Sequence, residues 1–226
     1  MIYAIGDSFT YGDELPSQDL AWPAVLGKKL NCIVINQGKP ATGNHRMIKR
    51  AIDAVLNKAE MIIIGWSDCN RQEFADDIGI YDIWAGRNYR AVQLDDPTHR
   101  INLIKYMTAY DTPEYFYAQW LRQIILVQSL CNFHKIPLIM FTACGSHISH
   151  SKYYTNFDQL SLAINLKDWI DKNMFNSIGE WVYGTPHGPN GHPLEAGHEL
   201  IAEKIYEHIK KRIQGYDNID ASYGWV

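Results

Sequence analysis

Four apolar runs of strand length recur along this chain, and none of them alternates with polar residues. They are Met1-Ile2-Tyr3-Ala4-Ile5, Cys32-Ile33-Val34-Ile35, Met61-Ile62-Ile63-Ile64 and Pro137-Leu138-Ile139-Met140-Phe141. A strand with one wet face alternates, so these runs are expected to be covered on both faces. Helical patterns lie between them, over 20–30, 44–58, 113–133 and 193–213. In the second, Ile48, Ile52, Val55 and Leu56 form the expected buried stripe; in the last, Leu200, Ile201, Ile205 and Ile209 do. Thr112-Pro113-Glu114 is a start signal, because proline is tolerated at the first helical position. Strand alternating with helix predicts a parallel sheet with right-handed crossovers. The fold class is therefore α/β: a three-layer α/β/α sandwich on a flavodoxin-like sheet of about five strands, in the order 2-1-3-4-5. The fifth strand is read from Trp181-Val182-Tyr183.

At 226 residues the chain fits a single domain, 1–226. Two stretches break the pattern. One, an irregular insertion around 70–112, carries aromatics and aspartate pairs; the other, 145–160, is rich in Ser, His and Tyr. Long irregular segments in a compact domain tend to be functional loops, and both follow expected strand ends. A net charge of −4 leaves no electrostatic footprint for nucleic acid. Lys210-Lys211-Arg212 is expected to close the last helix, opposite the negative end of its dipole. Asp7 interrupts the apolar start too early for a secretory signal, and no run approaches the roughly 18 apolar residues of a membrane span. Cys32, Cys69, Cys131 and Cys144 show no CxxC spacing. Reduced thiols in a cytoplasmic setting are the expectation.

The first strand runs into Gly6-Asp7-Ser8-Phe9-Thr10-Tyr11-Gly12. A tight loop there can hold a serine hydroxyl at the carboxyl edge of the sheet, where open α/β folds place ligands. The simpler role is that Asp7 or Ser8 caps a helix. Near the other end stands Gly191-His192-Pro193-Leu194-Glu195-Ala196-Gly197-His198. His192 precedes the proline that opens the last helix, so its imidazole falls on a loop at the same edge. There it can take a proton from a serine hydroxyl.

Together these motifs resemble the SGNH, or GDSL, hydrolase family, and the resemblance extends to two middle blocks. It implies that Ser8 is the nucleophile and His192 the general base. The family's second block supplies a backbone N–H to the oxyanion hole. Here Asn36-Gln37-Gly38-Lys39-Pro40-Ala41-Thr42-Gly43-Asn44 stands in its place, and the register leaves Ala41 and Gly43 both open; Pro40 has no N–H. The third block normally reads Gly-x-Asn-Asp. This chain has Gly65-Trp66-Ser67-Asp68, so Ser67 replaces the asparagine donor, with Asn70 or Arg71 as substitutes. Asp68 and Arg71 could instead form an ion pair on the loop. The family usually carries an aspartate three residues before its histidine; here that position is Pro189. Three outcomes stand open: a Ser–His dyad steadied by a backbone carbonyl or Asn190, a carboxylate arriving from elsewhere, or a weak or inactive site. The dyad is the favoured one.

His187, His192 and His198 match no zinc spacing, and neither cofactor nor metal is called for. His198 reads as a packing or capping residue, and Cys144 as a buried cysteine rather than a thiol nucleophile. Tyr106, Tyr110, Tyr115, Phe116, Tyr117 and Trp120 read as core, or less strongly as a sugar-stacking cluster. The expected activity is hydrolysis of a small-molecule or carbohydrate ester, first an O-acetyl group, then a short-chain acyl, lipid or thioester. The alternatives are a non-catalytic binding protein on the same fold, a phosphodiester hydrolase, or a structural subunit.

Overall fold

A computed structural model describes residues 1–75, 80–84, 113–144 and 158–217. Strands β1 (Ile2–Gly6), β2 (Val34–Gly38), β3 (Met61–Trp66) and β6 (Leu138–Thr142) form one parallel sheet in the order β2-β1-β3-β6. Helices α1 (Ser8–Tyr11) and α2 (Trp22–Leu30) follow β1, and α3 (Asn44–Leu56) follows β2. Next come α4 (Pro113–Phe133), α5 (Asp158–Leu162), α6 (Ile178–Trp181) and α7 (Glu195–Asp217). The proline signal thus places the start of α4 correctly, because a missing N–H costs nothing in the first turn.

Pleating splits each strand between two cores. Tyr3 and Ile5 of β1, with Ile62 and Ile64 of β3, face Met47 and Ala51 of α3 and Tyr117, Trp120 and Ile124 of α4. Ile2, Ala4, Ile63 and Ile139 point the other way, onto Trp22 and Leu26 of α2 and Ile201, Ala202 and Ile205 of α7. The result is the expected three-layer sandwich. Burying both faces of the sheet is what removes the alternation from its strands.

Several local expectations are corrected. No strand forms at Trp181-Val182-Tyr183, where α6 ends. On the edge of β6 away from β3, the described residues make only isolated parallel bridges, Met140 with Trp169 and Thr142 with Ser177. The stretch read as irregular contains an antiparallel hairpin, β4 (Arg71–Ala75) with β5 (Ile80–Trp84). On α3, Val55 is buried and Ile48 packs against the core as expected, while Ile52 and Leu56 are exposed; Met47, Ala51 and Ala54 complete the buried face. Leu200 of α7 is likewise exposed. Lys210-Lys211-Arg212 lies inside α7 rather than at its end, and Arg212 donates to the Leu138 carbonyl (2.7 Å) and pairs with Asp168. Of the cysteines, Cys32 is exposed and the other three are buried free thiols. Tyr106, Tyr110, most of 70–112 and nearly all of 145–160 lie outside the described residues. Phe116, Tyr117 and Trp120 are core, while Tyr115 is exposed. Among the described residues, no helix is long and apolar enough to cross a membrane.

Candidate active site

The amino-terminal loop is built around Asp7. It is fully buried and caps α1, its Oδ1 accepting the Phe9 N–H at 3.1 Å. Its Oδ2 accepts from the Cys144 thiol (3.0 Å) and from Arg71 Nη1 (3.4 Å), and Arg71 also donates to the Thr42 carbonyl (3.2 Å). One carboxylate thereby ties the ends of β1 and β6 to the loops after β2 and β3. The helix-capping role expected of this motif therefore holds for Asp7. Burial, and after it the neighbouring Asp7 charge, pushes the Cys144 thiol well above its ordinary range. It is a hydrogen-bond donor here, as expected of a buried cysteine, and no nucleophile.

Asn36 fastens the other side of α1. Its Nδ2 donates to the carbonyls of Thr10 (3.0 Å) and Tyr11 (3.3 Å), while its Oδ1 accepts the Gly38 N–H (2.8 Å). A Cβ on Gly38 would collide with the backbone of Thr10 and Tyr11, so only glycine lets the turn lie this close to β2. Ser8, the first residue of that turn, is buried at the carboxyl end of β1. Its hydroxyl makes no hydrogen bond among the described residues.

The expected oxyanion donors fare differently. Ala41 adopts a left-handed backbone (φ 59°), rare for a residue with a Cβ, and Gly43 is the N-cap of α3. Asn44, which the sequence marked only as a helix start, clamps the third block. Its Oδ1 takes the Ser67 N–H at 2.9 Å, and its Nδ2 donates to the carbonyls of Ser67 and Asp68 at 3.2 Å each. Ser67 itself is fully buried, its Oγ 3.2 Å from Cys144 Sγ. The thiol has one hydrogen, already given to Asp7, so the serine is the donor in this second contact. That spends the hydrogen wanted for an oxyanion. Asn70 turns its N–H and its Nδ2 onto Asp68 Oδ1 (2.8 and 2.9 Å).

The last block forms a tight turn before α7. Gly188 N–H donates to the His192 carbonyl and Gly191 N–H to the Gly188 carbonyl, both at 2.9 Å. The His192 ring lies 5.2 Å from the Phe9 ring, centroid to centroid, so the turn carrying the imidazole rests on the turn carrying Ser8. Of the three outcomes left open for His192, the structure has the second, a carboxylate arriving from elsewhere, in place of the favoured ring held by a backbone carbonyl or Asn190. Glu14 Oε2 lies 2.9 Å from His192 Nδ1 and accepts the His192 N–H at 3.1 Å. Its Oε1 accepts both the N–H (2.9 Å) and the Nδ2 (3.0 Å) of Asn190. Asn190 therefore holds the carboxylate rather than the ring. Asp13 Oδ2 stands 4.0 Å from His192 Nε2. Burial works to raise the Glu14 pKa, but the hydrogen bonds from Asn190 and His192 and the nearby imidazole outweigh it and bring it below the ordinary value.

No local signal marks Glu14. What could have found it is the vacancy itself: with Pro189 where an aspartate was wanted, the search moves to carboxylates on other loops at the same edge. Asp13-Glu14 follows directly on the serine turn. The other two histidines are engaged elsewhere. His187 Nδ1 meets the Thr185 carbonyl at 2.7 Å, and His198 Nδ1 accepts the Trp22 N–H at 3.1 Å. Among the described residues no three metal-binding side chains converge.

One family, described as "Family of unknown function (DUF6071)", matches residues 13–220. The chain belongs to DUF6071. The matched span contains both Glu14 and His192. None of the curated protein sequences compared with the chain matches it. Solved structures do. TesA is 13% identical, over 93% of this chain and 98% of that one, with a TM-score of 0.58. The esterase EstA from Pseudoalteromonas sp. is 15% identical over 94% and 98%, with a TM-score of 0.54. A lipolytic protein of the G-D-S-L family from Desulfitobacterium hafniense DCB-2 is 14% identical over 92% and 98%, with a TM-score of 0.53. At such identities the likeness is one of fold. This DUF6071 chain has the architecture of GDSL lipolytic proteins and esterases, in a divergent sequence.

Proposed function

We propose that residues 1–226 form one hydrolase domain acting on esters, with Ser8 as nucleophile and His192 as general base. The observation that carries this reading is the packing of the His192 turn on the Ser8 turn, through Phe9, at the carboxyl edge of the sheet. Ser8 Oγ attacks the ester carbonyl and His192 Nε2 receives its proton. The tetrahedral intermediate collapses, and His192 returns the proton to the leaving alcohol. Water, deprotonated by the same nitrogen, then releases the acid and frees Ser8. The backbone N–H groups of Ser8 and of Ala41 or Gly43 are the proposed oxyanion donors. A catalytic hydrogen bond that forms only with substrate present is common, so the unengaged Ser8 hydroxyl fits this scheme.

The first substrate class is an O-acetyl group on a carbohydrate; short-chain acyl, lipid and thioesters follow. The second reading is a non-catalytic binding protein, favoured by the commitment of Ser67 to Cys144. A panel of acetyl, longer acyl and thioester substrates, run with wild type and Ser8→Ala, decides between them. Turnover that falls to background in Ser8→Ala is expected. EstA was crystallised inhibited by monoethylphosphonate, and an alkylphosphonate supplies a second probe. Its adduct should map to Ser8 by mass spectrometry. Absence of both turnover and labelling would leave the binding reading.

A further inference from the structure

We propose that Glu14 is the positioning residue for His192, so that the charge partner of the base comes from the serine loop rather than from the histidine's own loop. The inference rests on the Ser8–His192 reading for its kinetic consequence, but not for its geometry. Three independent features converge on it. The Glu14 carboxylate accepts four hydrogen bonds, two of them from His192 and two from Asn190. Its backbone is left-handed (φ 68°), a conformation that costs a residue with a Cβ and that persists where surroundings enforce it. Gly188 leaves the room: a Cβ there would stand 2.7 Å from the Glu14 carboxyl carbon. Glu14 and His192 are 178 positions apart in sequence, so nothing local requires the pairing.

A carboxylate has no hydrogen to give, so its contact at 2.9 Å makes Nδ1 the donor. The neutral ring then carries its proton on Nδ1 and presents Nε2 as the lone-pair nitrogen, which is the tautomer a general base needs. When the ring takes the serine proton on Nε2, the adjacent carboxylate stabilises the imidazolium without itself being protonated. The charged and titratable groups facing the ring are Glu14 at Nδ1, Asp13 at 4.0 Å from Nε2, and His198, whose own pKa is lowered in part by His192.

Glu14→Gln separates this role from a loop staple. With its oxygen accepting from Asn190, the glutamine turns its NH₂ toward His192, where it opposes the backbone N–H the carboxylate accepts in wild type and faces Nδ1. That turns Nδ1 into an acceptor and moves the ring proton to Nε2. A kcat loss of about 10²–10⁴-fold with KM changed only a few-fold is expected. Glu14→Asp, which keeps the charge, should recover part of it. Histidine ¹H–¹⁵N NMR reads the same events without turnover. In wild type the neutral His192 should be protonated on Nδ1, and in Glu14→Gln on Nε2. A wild-type ring protonated on Nε2, or a Glu14→Gln enzyme with unchanged kcat, would overturn the proposal. A wild type that hydrolyses no ester yet shows the Nδ1 tautomer would sink the esterase reading and leave Glu14's hold on the ring standing.

Discussion

The turn before α7 and the first turn of α7 each carry a histidine, and the protein treats the two oppositely. His192 is on the loop, its side chain partly exposed, with Nδ1 against the Glu14 carboxylate. His198 is on the helix and fully buried, with Nδ1 accepting the Trp22 N–H at the start of α2. A carboxylate on Nδ1 forces that nitrogen to donate; an N–H on Nδ1 forces it to accept. The two rings therefore hold opposite tautomers. Burial, with a smaller contribution from His192, pushes the His198 pKa down to about 4, so it stays neutral where His192 is placed to cycle its charge. Sequence neighbours of one residue type are thus divided by their partners into a helix cap and the proposed base.

The largest effect should come from exchanging the two. His192→Gln removes the only proposed acceptor of the serine proton, and kcat should fall by about 10³-fold. His198→Gln should leave kcat within a few-fold while lowering the midpoint of thermal unfolding, because it disturbs the start of α2. Ester turnover and calorimetry on both variants check this. A His198 variant as inactive as the His192 one would erase the distinction.

The same contrast shows how much was legible in the sequence. The four strands of the sheet and the extent of α4 follow from apolar runs and one Thr-Pro-Glu signal, because strand burial and helix starts are local; the strand order follows only from the flavodoxin-like pattern of the fold class. His198 is expected to be a packing or capping residue, but its partner, Trp22, 176 positions away, is not legible. The buried face of α3 is legible only in part: Val55 and Ile48 pack as expected, but a count of large apolar residues also favours the exposed Ile52 and Leu56. Where a helix lies close against a sheet, small residues such as Ala51 and Ala54 occupy the contact. The fifth strand failed for a related reason: a three-residue apolar run such as Trp181-Val182-Tyr183 does not distinguish strand from helix. Ser8 and His192 were visible because each sits in a motif. Glu14 was not, since its role exists only once both ends of the chain are folded together. The Ser67–Cys144–Asp7 chain of hydrogen bonds was hidden for the same reason.

The pH dependence of stability sharpens the comparison next. The His198 pKa is lower in the folded state than its ordinary 6.5, so its contribution is fully present above pH 6.5 and is lost as pH falls toward about 4. The shift corresponds to about 3 kcal/mol. Burial, and then nearby Arg212, lowers His208 as well, which adds in the same direction. Glu14 is also lowered, but from a carboxylate value of 4.5, so its contribution goes only below that pH. Denaturant unfolding of wild type between pH 7 and pH 4 should show the loss, and His198→Gln should flatten most of the slope. A wild-type slope unchanged in that variant would mean that the buried ring is not what titrates.

The smallest expected effects come from two glycines of the His192 turn. At Gly188 the nearest atoms a Cβ meets are those of the Glu14 carboxyl group, a side-chain end rather than backbone, at 2.7 to 2.9 Å. Gly188→Ala should therefore cost little stability and act by pushing the carboxylate off Nδ1, with kcat down about tenfold, or about 1.4 kcal/mol. Gly191 faces open space but has φ of +83°, where a Cβ is strained. Gly191→Ala should cost about 1 kcal/mol of stability with no clash against Glu14. Kinetics and denaturant midpoints of the pair test whether catalysis follows the carboxylate or the turn. If Gly188→Ala loses stability and keeps kcat while Gly191→Ala does the reverse, the backbone of the turn, and not Glu14, is what sets the histidine.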